Sequence, residues 1–172
     1  MKRLFDVFVS GAGLLVFAPV AMLIALAIKI DDGGPVLFVQ ERVGRGGRVF
    51  PAFKFRSMVM DAERETGAVQ ATAHDPRVTR VGRLLRATAF DELPQLWNIF
   101  RGDMSVVGPR PLRPGLTGLA QVYAPRDLPR TGKFRYDLLY QRRASLSLDL
   151  RLILMSFWIT LRGRWEDRGP KV

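Results

Sequence analysis

The chain opens MKRLFDVFVSGAGLLVFAPVAMLIALAIKIDD (1–32), and from Val7 to Ile28 it carries no charged side chain. A run of that length crosses a bilayer as a straight helix. It exceeds the apolar core of a secretory signal. Three arrangements remain: a plain span, a buried core helix, and a re-entrant hairpin that enters and leaves on one face. Pro19 sits mid-run, where proline removes a backbone hydrogen bond and bends a helix. Lys2 and Arg3 before the run, and Lys29, Asp31 and Asp32 after it, anchor both ends in polar surroundings. The positive-inside rule keeps Lys2 and Arg3 cytoplasmic, and the Lys/Arg-rich body prefers the same side. Both ends inside predicts a hairpin bent at Pro19, with residues 1–32 as a re-entrant membrane helix and 33–172 as a cytoplasmic domain.

Composition narrows the chemistry. The 172 residues hold 27 Lys+Arg against 16 Asp+Glu, a formal net charge of +11. Such an excess points to acidic partners: nucleic acid, anionic lipid or a phosphorylated substrate. There is no cysteine, which excludes disulfides and thiolate metal sites. The single histidine, His74, lies in the polar stretch ATAHDPRV and reads as a solvated loop residue.

Beyond the apolar run, GGPVLFVQERVGRGGRVFPAFKFRSM (33–58) holds two short β-prone segments around the turn-rich GRGG. This reads as a β-hairpin that delivers Lys54 and Arg56 at its end. From Thr79 the pattern TRVGRLLRATA is helical, and Arg77, Arg80, Arg83 and Arg86 recur every third residue. Most of these arginines read as solvated or headgroup-facing surface; Arg86 is the best candidate for a site role. SLSLDLRLILMSFWITLRGRW (145–165) reads either as an amphipathic helix, with Trp158 and Trp165 suited to a membrane interface, or as a core helix with an exposed basic side. The GAG at 11–13 lacks a third glycine and follows no strand, so it is not a dinucleotide fingerprint.

The chemistry centres on FDELPQLWNIFRGDMSVVGPRP (90–111), where Asp91 and Glu92 adjoin strongly basic sequence. Asp91 reads either as the N-cap of a helix starting just after it, or as a carboxylate placed to meet phosphate. Pro94 in the first turn has no N–H to give a capping side chain, which weakens the capping role. An aspartate can attack phosphorus to form an acyl phosphate, splitting one displacement into two. Two unit charges of like sign ~4 Å apart repel by ~4 kcal/mol at an effective dielectric of 20, so such a nucleophile needs cations around it. A divalent metal, magnesium, held by Glu92 with Asp91 beside it, and arginines from elsewhere would provide them. Pro109 and Pro111 stiffen the backbone around Arg110, which suits a guanidinium aimed at phosphate.

Taken together, KRLFD, the 33–58 segment, DPRVTRVGRLLR, FDELPQLWNIFRGDMSVVGPRP, RPGLTGLAQVYAPRD and KFRYDLLY resemble, in that order, the bacterial sugar transferase family of monotopic phosphoglycosyl transferases. The resemblance implies an α+β fold: a re-entrant helix-hairpin plus a small, mostly helical cytoplasmic domain with a short β-hairpin and membrane-surface amphipathic helices. It implies transfer of a sugar-1-phosphate from a UDP-sugar to polyprenyl (undecaprenyl) phosphate, with release of UMP, in exopolysaccharide or lipopolysaccharide assembly at the cytoplasmic face of the inner membrane. Asp91 would be the nucleophile that forms a covalent phosphosugar, and Glu92 would help hold Mg²⁺. Lys54, Arg56, Arg86, Arg110 and Arg126 would bind phosphate. Membrane lipid is an implied partner, nucleic acid is not, and pairing into a homodimer through exposed apolar surface is an expectation for lipid-facing proteins of this type. Two departures stand out. PRPLRPGLTG runs together motifs that the family separates, and QVYAPRD replaces a segment often reading Gly-Arg-Asn, leaving Arg126 to take that arginine's role. A membrane-attached scaffold without catalysis and a basic nucleic-acid-binding module are the rival readings.

Overall fold

The computed structural model describes residues 2–62, 64, 75–108, 114–124 and 128–162. The apolar run forms one helix, α1 (Lys2–Asp32), assigned without a break through Pro19. Its two sides differ toward both ends, while residues 15–19 in the middle are exposed all round. Asp6, Ser10, Ile24 and Ile28 are buried, whereas Leu4, Phe8, Leu15, Met22, Leu26 and Ile30 stand exposed. At 100° per residue the first set falls on one stripe and the second on the opposite one. The helix is therefore held against the body near both ends and offers a continuous apolar face on the opposite side.

The predicted hairpin is present: β1 (Leu37–Val43) pairs antiparallel with β2 (Val49–Phe55). Gly46 and Gly47 make the turn at φ 69° and 77°, a left-handed region open to glycine without a Cβ penalty. The helix expected from Thr79 is α2 (Arg80–Thr88), with Thr79 as N-cap accepting from the Gly82 amide. Ala89 ends it in the left-handed conformation, and Phe90–Glu92 form a single 3₁₀ turn. Next comes α3 (Gln95–Arg101), terminated by Gly102 at φ 100°. Asp91 is thus not the N-cap of the following helix: Pro94 occupies that position, with no side-chain cap.

Strands β3 (Ser105–Val107) and β4 (Gly115–Thr117) pair in parallel. Three helices follow: the short α4 (Leu119–Tyr123) and the longer α5 (Arg130–Arg143) and α6 (Leu146–Leu161). Ser145 caps α6 by accepting from the Leu148 amide. Parallel strands ordinarily need a crossover of about a dozen residues or more, yet only 108–114 separate these two. The short join noticed in the sequence therefore falls inside a topology that usually takes a longer connection.

Two apolar clusters hold the body together. Ile99, Met104, Val107, Val122, Tyr140 and Leu152 belong to the larger one, with Phe50 and Ala52 of β2. Ile24 and Ile28 of α1 join Phe55 and Leu85 in the smaller. Each fully buried aliphatic side chain stabilises the fold by about 1.5–3 kcal/mol. The GAG glycines serve packing: a Cβ on Gly11 would sit 3.4 Å from Phe100, and one on Gly13 3.1 Å from Leu96. Small residues there let α1 and α3 approach closely.

Polar contacts fasten both ends of α1 to the same body. At its start, Lys2 pairs with Asp149 at 2.5 Å and donates to the Tyr140 hydroxyl at 2.8 Å. Arg3 donates to the Ile99 and Phe100 carbonyls, both at 2.6 Å, covering open acceptors at the end of α3. The buried Asp6 carboxylate accepts from Ser105 Oγ and from the Val106 amide at 3.0 Å. At its far end, Asp31 accepts from the Val81 amide at 3.0 Å, and Asp32 pairs with Arg56. Asp31 thus caps the N-terminus of α2 from another element, beside the cap that Thr79 supplies.

Candidate active site

Strand β2 and the 3₁₀ turn before α3 meet at the acidic pair. A buried asparagine brings them together: Asn98 Oδ1 accepts from the Phe53 amide at 3.0 Å, and Asn98 Nδ2 donates to the Pro51 carbonyl at 2.7 Å. Its side-chain amide stands in for a third strand on the free edge of β2. Lys54, the next residue along, is thereby set against the turn that α3 carries at its start.

Lys54 Nζ lies 2.6 Å from Glu92 Oε1 and 3.7 Å from Asp91 Oδ2. One ammonium therefore bridges both carboxylates, and the side chains of all three are partly shielded, Asp91 most at 14% exposed. Burial pushes the Asp91 carboxyl above the usual 3.8, opposed by Lys54, with Glu92 adding to the rise and Arg86 lowering it. Burial disfavours the charged form, and the neighbouring cations only partly restore it.

Arg86, at the last turn of α2, donates from Nε to Ser57 Oγ at 2.9 Å. Its two terminal nitrogens have no hydrogen-bond partner among the described residues. The guanidinium is exposed and acts on Asp91 through space. Arg56 lies elsewhere. Its side chain is 7% exposed and ion-paired with Asp32, and a Cβ on Gly34 would collide with the guanidinium. The structure thus sets Lys54 against the Asp91–Glu92 pair, leaves Arg86 in hydrogen-bond contact with Ser57 and acting on Asp91 only through space, and tucks Arg56 against the end of α1. Arg110 and Arg126 lie outside the described residues, as do His74 and Trp165.

Among the described residues no group of three His, Asp or Glu side chains converges to hold a metal. Two adjacent carboxylates nevertheless fit a magnesium ion that takes one or two protein carboxylates and completes its shell with substrate phosphates and water. Lys54 would have to yield its contact with Glu92 for that shell to form.

Sequence reading had no signal for Asn98 or Ser57. Asn98 sits among residues at helical spacing, and its role as a strand-edge mimic depends on a partner 45 residues away. Ser57 reads as an unremarked polar residue following Arg56.

The bacterial sugar transferase family model matches residues 1–114 and again 112–163. The two matches meet at the short join between the PRP and RPGLTG motifs. Over 89% of its length the chain is 41% identical to the exopolysaccharide production protein PSS of Rhizobium leguminosarum bv. phaseoli, covering 91% of that protein. It is 38% identical over 88% of its length to the exopolysaccharide production protein ExoY of Rhizobium meliloti, covering 81% of it. It is 40% identical over 90% of its length to the UDP-glucose:undecaprenyl-phosphate glucose-1-phosphate transferase of Klebsiella pneumoniae, but spans only 39% of that longer protein. The alignment to PSS runs over 182 positions, more than the 172 residues of this chain. Relatives therefore hold residues that this sequence lacks. The family model matched over nearly the whole chain, together with these likenesses, makes the chain a member of the bacterial sugar transferase family.

Proposed function

We propose that this transferase moves a sugar-1-phosphate from a UDP-sugar to undecaprenyl phosphate, releasing UMP, through a covalent phosphosugar on Asp91. The observation that carries the proposal is the largely buried Asp91 carboxylate 3.7 Å from Lys54, with Arg86 acting on its charge through space and the terminal nitrogens of Arg86 without a hydrogen-bond partner among the described residues. In the first step an Asp91 carboxylate oxygen bonds to the sugar-linked phosphorus, and the bond from that phosphorus to the oxygen bridging to the UMP phosphate breaks. UMP leaves with the bonding pair. In the second step an oxygen of undecaprenyl phosphate displaces Asp91, which returns as a free carboxylate. Lys54 and Arg86 oppose the charge that would otherwise repel nucleophile from diphosphate, and Arg110 and Arg126 are further phosphate-binding candidates. Magnesium held by Glu92 and Asp91 would supply additional neutralisation of the phosphate oxygens.

The membrane arrangement is part of the same proposal. Lys2, Arg3 and Asp6 at one end of α1, and Asp31 and Asp32 at the other, all bind one folded body. Two ends tied to a single body cannot lie on opposite sides of a bilayer. This favours a monotopic helix with both ends on the side of the body. That side is the cytoplasmic face by the positive-inside preference of Lys2 and Arg3. Re-entry would require a bend at Pro19 in a helix that here runs unbroken through it. The exposed apolar stripe of α6, Leu146, Leu150, Leu154, Phe157 and Leu161, would rest in the same interface, with Arg162 over the Trp158 ring.

The test is turnover by purified protein with Mg²⁺, undecaprenyl phosphate and a panel of UDP-sugars, following UMP. Release of UMP from one sugar donor, lost on chelation with EDTA, is the expected result. Absence of UMP with every donor would remove the reading and favour a scaffold of the same fold.

A further inference from the structure

We infer that Ser57 is a positioning residue that sets the plane of the Arg86 guanidinium for binding the diphosphate of the nucleotide sugar. The inference rests on the proposed function and adds to it a residue that touches the chemistry only through Arg86.

Ser57 follows the β2 hairpin directly and holds α2 in two separable ways. Its backbone fixes the start of the helix: the Thr79 amide donates to the Ser57 carbonyl at 3.2 Å. At Gly82 the two backbones come so close that a Cβ would stand 2.0 Å from the Ser57 carbonyl oxygen. No side chain fits there, so glycine is required for the approach and not for any unusual torsion. The side chain does something else. Ser57 is only 8% exposed, and its Oγ accepts from Arg86 Nε at 2.9 Å, one helical turn and more beyond Gly82.

A guanidinium held by Nε cannot spin about its terminal bonds, because the group is planar. Fixing Nε therefore aims both terminal nitrogens, the pair that recognises phosphate bidentately. Arg86 is exposed, and a long solvated side chain would otherwise sample many rotamers. The hydrogen bond removes part of that freedom before substrate arrives, and preorganisation of this kind appears as affinity and rate. Because the backbone clamp does not involve the hydroxyl, loss of Oγ leaves α2 docked while releasing Arg86.

The experiment is a double-mutant cycle on the full-length protein in detergent, with Mg²⁺ present: wild type, Ser57→Ala, Arg86→Ala and the double variant. Affinity for UDP is read by calorimetry, kcat/KM by UMP release, and Tm by thermal unfolding. Ser57→Ala should weaken UDP binding about tenfold when Arg86 is present and change it by less than about twofold when Arg86 is alanine, the non-additivity expected of coupled residues. Tm should stay within about 2 °C of wild type. Equal losses in both backgrounds would overturn the inference, since Ser57 would then act without Arg86. So would a Tm loss that tracks the affinity loss. Wild-type protein that binds no UDP at all gives a different result: it would remove the substrate reading itself, and this inference with it.

Discussion

Lys54 and Arg56 stand two residues apart on one segment, and both meet carboxylates, yet they do opposite things. Lys54 bridges two acids of one turn, at 2.6 and 3.7 Å, and each of the three side chains keeps some access to solvent. Arg56 is sunk against a single acid at the end of α1 and keeps almost none. A pair that must open for substrate has to remain hydrated and loosely held. A pair that joins two elements can be sunk on one side, where Arg56 is buried while the Asp32 it meets stays in reach of water. The lesson is that a cation's role follows from what its partner belongs to: a turn with free neighbours for Lys54, a helix end for Arg56.

The contrast breaks if the two residues fail in the same way. Replacing Asp91 with Asn should have the largest effect, a fall in turnover of about 10⁴-fold or more, as for loss of an enzymic nucleophile. Tm should hold or rise, since a half-buried charge is removed; kinetics and thermal unfolding of one preparation check both. Lys54→Ala should follow, lowering kcat/KM by about 10²–10³-fold with little change in stability. Arg56→Ala should do the reverse, a stability loss of about 1.5–3 kcal/mol, the value of a hydrogen bond to a charged group, read by denaturant unfolding. Asn98→Ala should resemble Arg56→Ala, at about 2–3 kcal/mol, because the Phe53 amide and Pro51 carbonyl would lose their partner in the interior.

The pH dependence sharpens the same comparison by a smaller amount. The folded Asp91 carboxyl is raised above its ordinary 3.8, mainly by burial. The native state therefore holds that proton more tightly than the unfolded chain. Its contribution to stability is greatest below the unfolded value and is lost as pH rises through the raised folded one. Activity runs the other way, because the nucleophile must be ionised: the acid limb of kcat/KM should lie above 3.8. Asp91→Asn should remove the corresponding slope from the stability profile, whereas Arg56→Ala should leave it. Smallest of all, Asp31→Ala should cost about 1 kcal/mol, the usual value of a lost helix cap.

Much of the frame was legible from local pattern. The apolar run, the GRGG hairpin, the helix beginning at Thr79 and a helix near the C-terminus each announce themselves through periodicity or turn residues, and each is present as a helix or hairpin. The β3–β4 pair was not legible, because three-residue strands such as Ser105–Val107 are too short to show alternation. Of the site, the acidic pair and Lys54 follow from charge and motif. The fate of Arg56 did not, since it depends on Asp32, which sequence marks only as an anchor at the end of an apolar run. The same holds for Asp6, whose partner Ser105 lies 99 residues away. Long-range pairing leaves no periodic trace, so residues that position the site are the ones a local reading passes over.

The most direct measurement is the intact mass of the protein after incubation with Mg²⁺ and UDP-sugars, without undecaprenyl phosphate. One donor should add the mass of a single sugar phosphate to wild-type protein and none to Asp91→Asn, with the adduct discharged when undecaprenyl phosphate is supplied. An adduct of the same mass on Asp91→Asn would contradict the central claim, because the nucleophile would then be another residue.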